Sequence, residues 1–466
     1  MRPPACGGNL KANWADLAME VMLRTTLLAG MASLLALPAA AQGLALQPVL
    51  EDDAVEVTAN PVVQRLTLPP TPVYPAVMQW PVDQARALLA VVESIDAEGL
   101  KPEDYRPDEL RAAIEAGEGP RLDEVASRAF SWLVEDLRDG RTPMEARRQW
   151  FVVDPDPDLI PTGKVMTEAL ATGDIAGALA SVLPTHPDYA ALKAELAATP
   201  AGDTRRRALI RANMDRWRWL QRDLGGQYLL TNVPEFQLRL MVNNRIVRTY
   251  RTIVGKPGRT ATPQLAETVE GVIFNPTWTV PQSIVKGEGL GARVLNNPAW
   301  ARANGYRATR GANGYISVVQ QPGPTNSLGL MKLDMPNPHA IFLHDTPSRH
   351  LFANENRALS HGCIRTERAL ELAMTIAILG QGATRDEAVA IANSGQYTRV
   401  PVLKSMPVYI TYFTMGRDID GEMRTFDDIY GRDAPVLASF EAPRVGNRSR
   451  VTDEEVIEIV DDLQTS

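Results

Sequence analysis

"FQLRLMVNNRIVRTYRTIVG", residues 236 to 255, is where the chain changes character. Its two runs, "FQLRLMV" and "RIVRTYRTIVG", are strand-like and flank Asn243-Asn244. Asparagine tolerates the positive φ that a tight hairpin demands of both central residues, so the stretch predicts two antiparallel strands. Just upstream "YLLTNV" (228–233) is also strand-like, whereas "RRRALIRANMDRWRWLQRDLGG" (205–226) carries a helical period and stops at a glycine pair. A β-rich region therefore begins near Tyr228.

Downstream it continues through "VEGVIFNPTWTVP", "HAIFLHD" and "PVYITYFT" (407–414). One helix interrupts it, with Leu370, Ala373, Met374, Ala377 and Ile378 on one face and Gly380 as its stop. The segment from about 282 to 322, with "KGEGLGARVLNNPAWARANGY", reads as an insertion folded over the sheet as a lid. Upstream, Ala85, Leu88, Leu89, Val92 and Ile95 recur at helical spacing, and "LDEVASRAFSWLVEDLRDG" (122–140) repeats the effect before stopping at glycine. The expected class is α+β: a helical domain over 81–205, then a β-rich domain over 206–433. His186 falls in a loop, and residues 434–466, ending in acidic "TDEEVIEIVDDL", form a C-terminal tail.

The first 80 residues predict no packed domain. Leu27 to Leu37 form a short apolar run after Arg24, and Ala39 to Ala41 offer small residues for cleavage before Gln42. Residues 1–41 thus read as a secretory signal peptide, too short in its apolar core for a membrane span. Asp16 and Glu20 precede Met22 where such a leader should be basic, which places the true start at Met22. Residues 42–80, with "LPPTPVYP" (68–75), are an extended linker. The expected location is the periplasm.

Without the leader the formal charge is (48 − 3) − (56 − 2) = −9, with no basic block, which argues against nucleic acid as a partner. Cys6 departs with the leader, leaving Cys363 alone in an oxidising compartment. It lies in "ALSHGCIRTERAL" (358–370), and His344 ends the strand-like "AIFLHD" nineteen positions earlier, so two adjacent strands can bring both residues to their ends. A thiol becomes a nucleophile when a base takes its proton or a cation lowers its pKa, and His344, His361 and Arg365 are candidates. Gly362, without a side chain, leaves backbone N–H groups open to an oxyanion. His339, His344, His350, His361 and Cys363 also invite a zinc reading, but their spacing fits no common structural zinc pattern, and no metal or other cofactor is expected.

"HD", fourteen residues, then "SHGCIR" resembles the signature of L,D-transpeptidases, cysteine enzymes that cross-link bacterial peptidoglycan. "GKPGRTATPQL", "FNPTWTVPQSI", "PGPTNSLGLMKLDMPN" and "IFLHDTPSRHLFANENRALSHGCIR" resemble successive blocks of the large, scaffolded subclass. Its separate peptidoglycan-binding module is missing between "HPDYAALKAELAATP" and "RRRALIRANMDRW".

The resemblance implies Cys363 as nucleophile, His344 as general base, and the backbone N–H groups of Gly362 and Cys363 as an oxyanion hole. His361 braces the turn, Arg365 faces the cysteine's side and fixes a substrate carboxylate or holds the site together, and Asp345 or a backbone carbonyl orients the imidazole. Trp278, Ser360 and Asn326 are the expected substrate-binding residues. The implied substrates are peptidoglycan tetrapeptide stems as donor and acceptor, with water or an outer-membrane protein as alternative acceptors and no nucleotide. An inactive wall-binding scaffold is the non-enzymatic alternative.

Overall fold

The computed structural model describes residues 74–455 except 288 and 447, so the expected leader and most of the linker lie outside the described residues. Helices occupy the first part of the chain. Pro120–Asp139 is their spine: a proline opens it after Gly119, Gly140 follows its end, and Leu122, Val125, Ala129, Phe130, Leu133 and Leu137 are buried along one stripe. Each large apolar side chain so buried contributes about 1.5–3 kcal/mol. Trp80, expected in the linker, is buried against this helix, its indole N–H donating to Ser127 Oγ at 3.0 Å and its backbone N–H to Asp123 at 2.8 Å. The helical domain therefore begins before residue 81.

Its far boundary also moves. The helix Thr204–Arg218, expected with the β-rich domain, packs Ile210, Met214 and Trp217 into the helical core. It is fixed there by Asp215, wholly buried, which accepts from the backbone N–H groups of Arg141 (2.7 Å) and Thr142 (3.0 Å) and from the indole of Trp219 (3.0 Å). Periodicity showed a helix here but not which core it would join.

Among the described residues eleven strands form one curled sheet. The hairpin Gln237–Val242 to Arg245–Gly255 turns at Asn243 and Asn244, with φ of 50° and 58°. The long strand Arg245–Gly255 is the pivot: it pairs antiparallel with Gln237–Val242 and with Ile364–Thr366, and parallel with Ala358–Ser360. Beyond Ile364–Thr366 the order runs Leu343–His344, Met331–Asp334, Gly271–Phe274 and Thr398–Pro401. On the other side it runs through Gln227–Asn232 and Pro407–Thr411 to Leu265–Thr268.

The helix Ala369–Leu379 closes one face, but it buries Ala369, Leu372, Ala373, Ile376 and Ala377 and leaves Ile378 exposed. "ALELAMTIAIL" is apolar nearly all round, so period alone could not choose its inner face.

The insertion is a small unit with its own core. Strands Trp278–Thr279, Ile316–Gln320 and Tyr306–Arg310 form a three-stranded sheet beside helices Leu290–Asn296 and Pro298–Ala303, around Val280, Ile284, Leu290, Val294 and Val318. It thus starts at Trp278, four residues before the expected 282. Residues 434–455 are no loose tail. Asp433–Glu441 is a helix, and the arm after it returns to the helical domain: Arg444 and Arg448 both bond the buried carboxylate of Asp136, at 2.8 and 2.7 Å, and Arg450 pairs with Asp158. Among the described residues no helix is long and apolar enough to cross a membrane.

Candidate active site

Cys363 precedes the strand Ile364–Thr366 at the end of a turn braced from two sides. Gly362 adopts φ 120°, a conformation costly for any residue with a Cβ. On one side Ser360 Oγ accepts from the Gly362 N–H (3.2 Å) and donates to the Cys363 carbonyl (2.6 Å). On the other, Thr262 Oγ1 accepts from the Gly255 N–H (2.9 Å) and donates to the Gly362 carbonyl (2.8 Å). Thr262 is held in turn: its N–H donates to Tyr430 Oη, its carbonyl accepts from Arg432, and Arg432 also bonds Gln149 on the edge of the helical domain.

Register brings the other candidates to the sulfur. Leu343–His344 runs parallel to Ile364–Thr366 with His344 opposite Arg365, and the Ile364 N–H donates to the Phe342 carbonyl at 3.1 Å. Strand alternation then places Cys363, Arg365, His344 and Phe342 on one face. Antiparallel pairing adds Lys332 from Met331–Asp334, opposite His344. Phe342 links the row: its ring lies 5.4 Å from the His344 ring and 4.0 Å from the Lys332 ammonium, and it packs against both the sheet core and the lid core. The Cys363 thiol, buried, points to the Ala340 carbonyl at 3.6 Å.

The row is cationic, and burial makes that matter. The His344 ring is buried, which drives its pKa down to about 3; Arg365 and Lys332 push the same way, against the Asp345 backbone, which favours the imidazolium. The ring is therefore neutral at physiological pH. Among the described residues its Nδ1 meets no partner in hydrogen-bond geometry, although the Asp345 backbone lies near enough to be felt. Lys332 is shifted down by burial, while Cys363 and Asp334 pull it back up.

The remaining expected site residues have other positions. His361 and Arg365 are buried beside the cysteine. The Asp345 carboxylate faces away from the imidazole, accepting from the Leu330 N–H (2.9 Å) and from Arg349 (3.1 Å). Ser360 is spent on the turn, and because the Gly362 N–H is directed at it, that N–H is not open to an oxyanion in this geometry. Asn326 is wholly buried, its amide donating to the carbonyls of Pro276 and Gln321 and its oxygen accepting from the Leu328 N–H, so it braces the lid's root. Trp278 lies in the lid core. Substrate-facing roles for Ser360, Asn326 and Trp278 give way to structural ones, because each is enclosed by its own chain. Among the described residues no three His, Cys, Asp or Glu side chains converge as a metal site would require.

Lys332, Thr262 and Phe342 were not singled out from sequence. "MKLD" alternates apolar and polar residues as any half-exposed strand does, and only the sheet order puts its lysine beside His344.

Residues 226–410 match the L,D-transpeptidase catalytic domain of the YkuD family, and residues 77–196 match the Scaffold domain. The two matches follow one another along the chain, the Scaffold match first. It is 28% identical over 223 residues to a putative L,D-transpeptidase of Haemophilus influenzae, a match that spans 45% of this chain and 45% of that protein. Among solved structures it is similar to an L,D-transpeptidase from Mycobacterium smegmatis (14% identity, TM-score 0.20, covering 40% of this chain and 58% of that one). It is also similar to L,D-transpeptidase 1 of Mycobacterium tuberculosis (13% identity, TM-score 0.18, covering 40% and 61%).

Proposed function

We propose that the protein is a periplasmic peptidoglycan L,D-transpeptidase that forms 3→3 cross-links through a thioester on Cys363. The observation that carries this reading is the braced Gly362-Cys363 turn beside a neutral imidazole on the next strand, within a YkuD domain. The sulfur attacks the carbonyl joining the L-centre of diaminopimelate to D-alanine; a C–S bond forms, the C–N bond breaks, and the departing D-alanine nitrogen takes a proton. The side-chain amine of an acceptor stem then attacks the thioester, forms the new amide and returns the sulfur. His344 is the proton carrier in both steps. The Cys363 N–H is left as the main-chain donor for the oxyanion, joined by the Gly362 N–H only once that group leaves Ser360.

Carbapenems, whose strained carbonyl mimics the donor amide, are expected to acylate Cys363. Incubation with purified tetrapeptide muropeptides and mass analysis of the products tests the reading. Cross-linked dimers with released D-alanine support it. Tripeptides alone make the protein an L,D-carboxypeptidase, transfer to a protein amine makes it an anchoring acyltransferase, and unchanged stems leave a wall-binding scaffold.

A further inference from the structure

We infer that Lys332 supplies the positive charge that holds the Cys363 sulfur as a thiolate, a role that a protonated His344 would otherwise fill. This rests on the proposed nucleophile and goes beyond it. Lys332 stands opposite His344 in the sheet and shares its face with Cys363. Its ammonium lies 4.0 Å from the Phe342 ring, and Phe342 is level with the cysteine across the Ile364–Phe342 hydrogen bond. The ring fixes the lysine head over the row. Among the described residues it has no carboxylate within ion-pair distance: Asp334, two residues on, is taken by Arg399 at 2.6 Å, and Asp345 by Arg349. A half-buried ammonium without a carboxylate needs a counter-charge, and the sulfur is the acidic group beside it.

The surroundings leave the cation that task. The groups facing Cys363 are His344 and Phe342 from the adjacent strand, Lys332 from the strand beyond, the Ala340 carbonyl and neighbouring His339, and His361 and Arg365 on its own segment. His339 and His344 are both held toward the neutral form by burial. An imidazolium at His344 would face Arg365 and Lys332 as like charges. When the thiol gives up its proton, which during turnover His344 carries on to the departing nitrogen, the negative sulfur meets fixed cations, and Lys332 is the one reached across the sheet.

Iodoacetamide reads this without any peptidoglycan chemistry, since the thiolate displaces iodide and a C–S bond forms. The full-length chain, Lys332→Met and Lys332→Arg are alkylated from pH 5 to 10, and the Cys363 peptide is quantified by mass spectrometry. An opposite charge at close range moves a pKa by about 1–3 units, so Lys332→Met should raise the midpoint by at least one unit. At pH below the wild-type midpoint that slows alkylation about tenfold, whereas Lys332→Arg should keep the wild-type midpoint. A folded Lys332→Met with an unchanged midpoint overturns the inference, and a raised KM for stems alongside it would assign the lysine to a substrate carboxylate instead. If Lys332→Met does not fold, Lys332→Gln makes the same comparison. A protein inert toward muropeptides but with a Lys332-dependent midpoint would refute the transpeptidase reading and keep this one.

Discussion

Two buried histidines, one at the edge of the helical domain and one in the eleven-stranded sheet, meet the same physical stress in different surroundings. His186 is driven to a pKa of about 4 by burial and His344 to about 3. His186 was expected in a loop, yet it caps the helix Pro187–Ala198: its Nδ1 accepts from the Asp188 N–H at 3.1 Å, its Nε2 meets Tyr228 Oη at 3.1 Å, and its ring stacks on Trp217 at 4.3 Å. Both nitrogens are used. His344 has a cationic row around it and, among the described residues, an Nδ1 without a bonded partner. A neutral ring with both nitrogens bonded is structural, whereas one left partly unsatisfied beside a thiol suits the proton transfer proposed for it.

The largest effect expected on the catalytic side is at the sulfur. Cys363→Ala removes the nucleophile with little change in volume, so both D-alanine release and the carbapenem adduct should vanish while the melting curve stays within a few degrees. Release of D-alanine by a folded Ala variant would move the chemistry elsewhere and dissolve the contrast. Next is the base. His344→Ala should slow thioester formation by about a hundredfold to ten-thousandfold, since general-base help is typically of that size. His361→Ala should be milder, and equal losses measured by rapid-mixing mass spectrometry would mean that both rings serve the sulfur.

His186 should respond in stability alone. Its folded pKa lies below the ordinary 6.5, so between about pH 6.5 and 4 the unfolded chain binds a proton that the native one refuses. Stability from this group is complete above pH 6.5 and lost as pH falls. His186→Asn keeps a capping side chain but does not titrate, so the variant's deficit in unfolding free energy, from urea titrations, should shrink by up to about 2–3 kcal/mol between pH 7 and 4.5. A deficit that is constant with pH would show that the ring is not kept neutral, and a changed kcat would break the separation of roles.

Much of this arrangement was legible in residue patterns, for a reason that also marks the limit. The hairpin at Asn243-Asn244 and the stop at Gly140 depend on local chemistry that a few adjacent residues encode. Lys332, Thr262 and the inner face of Ala369–Leu379 depend on which strand lies beside which, a matter of contacts between residues far apart in the chain. Ser360, Asn326 and Trp278 illustrate the same limit from the other side. Their positions within motif blocks suggested substrate contact, but turn bracing and lid packing demand polar and aromatic residues just as strongly.

The smallest expected effect concerns Thr262, which joins the two ends of this comparison. Its hydroxyl bridges the Gly255 N–H and the Gly362 carbonyl, and its backbone is tied through Arg432 to Gln149 at the helical domain's edge. Thr262→Val keeps the shape and removes the bridge, leaving a buried donor and a buried acceptor unmatched at a cost of about 1–3 kcal/mol. If that strain stays local, acylation should slow only about fivefold, in kcat rather than KM, because the turn presenting the sulfur loosens while the substrate surface is untouched. Thr262→Ser restores the hydroxyl and should recover the rate. A Val variant that melts lower yet acylates at the wild-type rate would mean that the bridge supports the fold alone, and that Ser360 suffices to hold the turn.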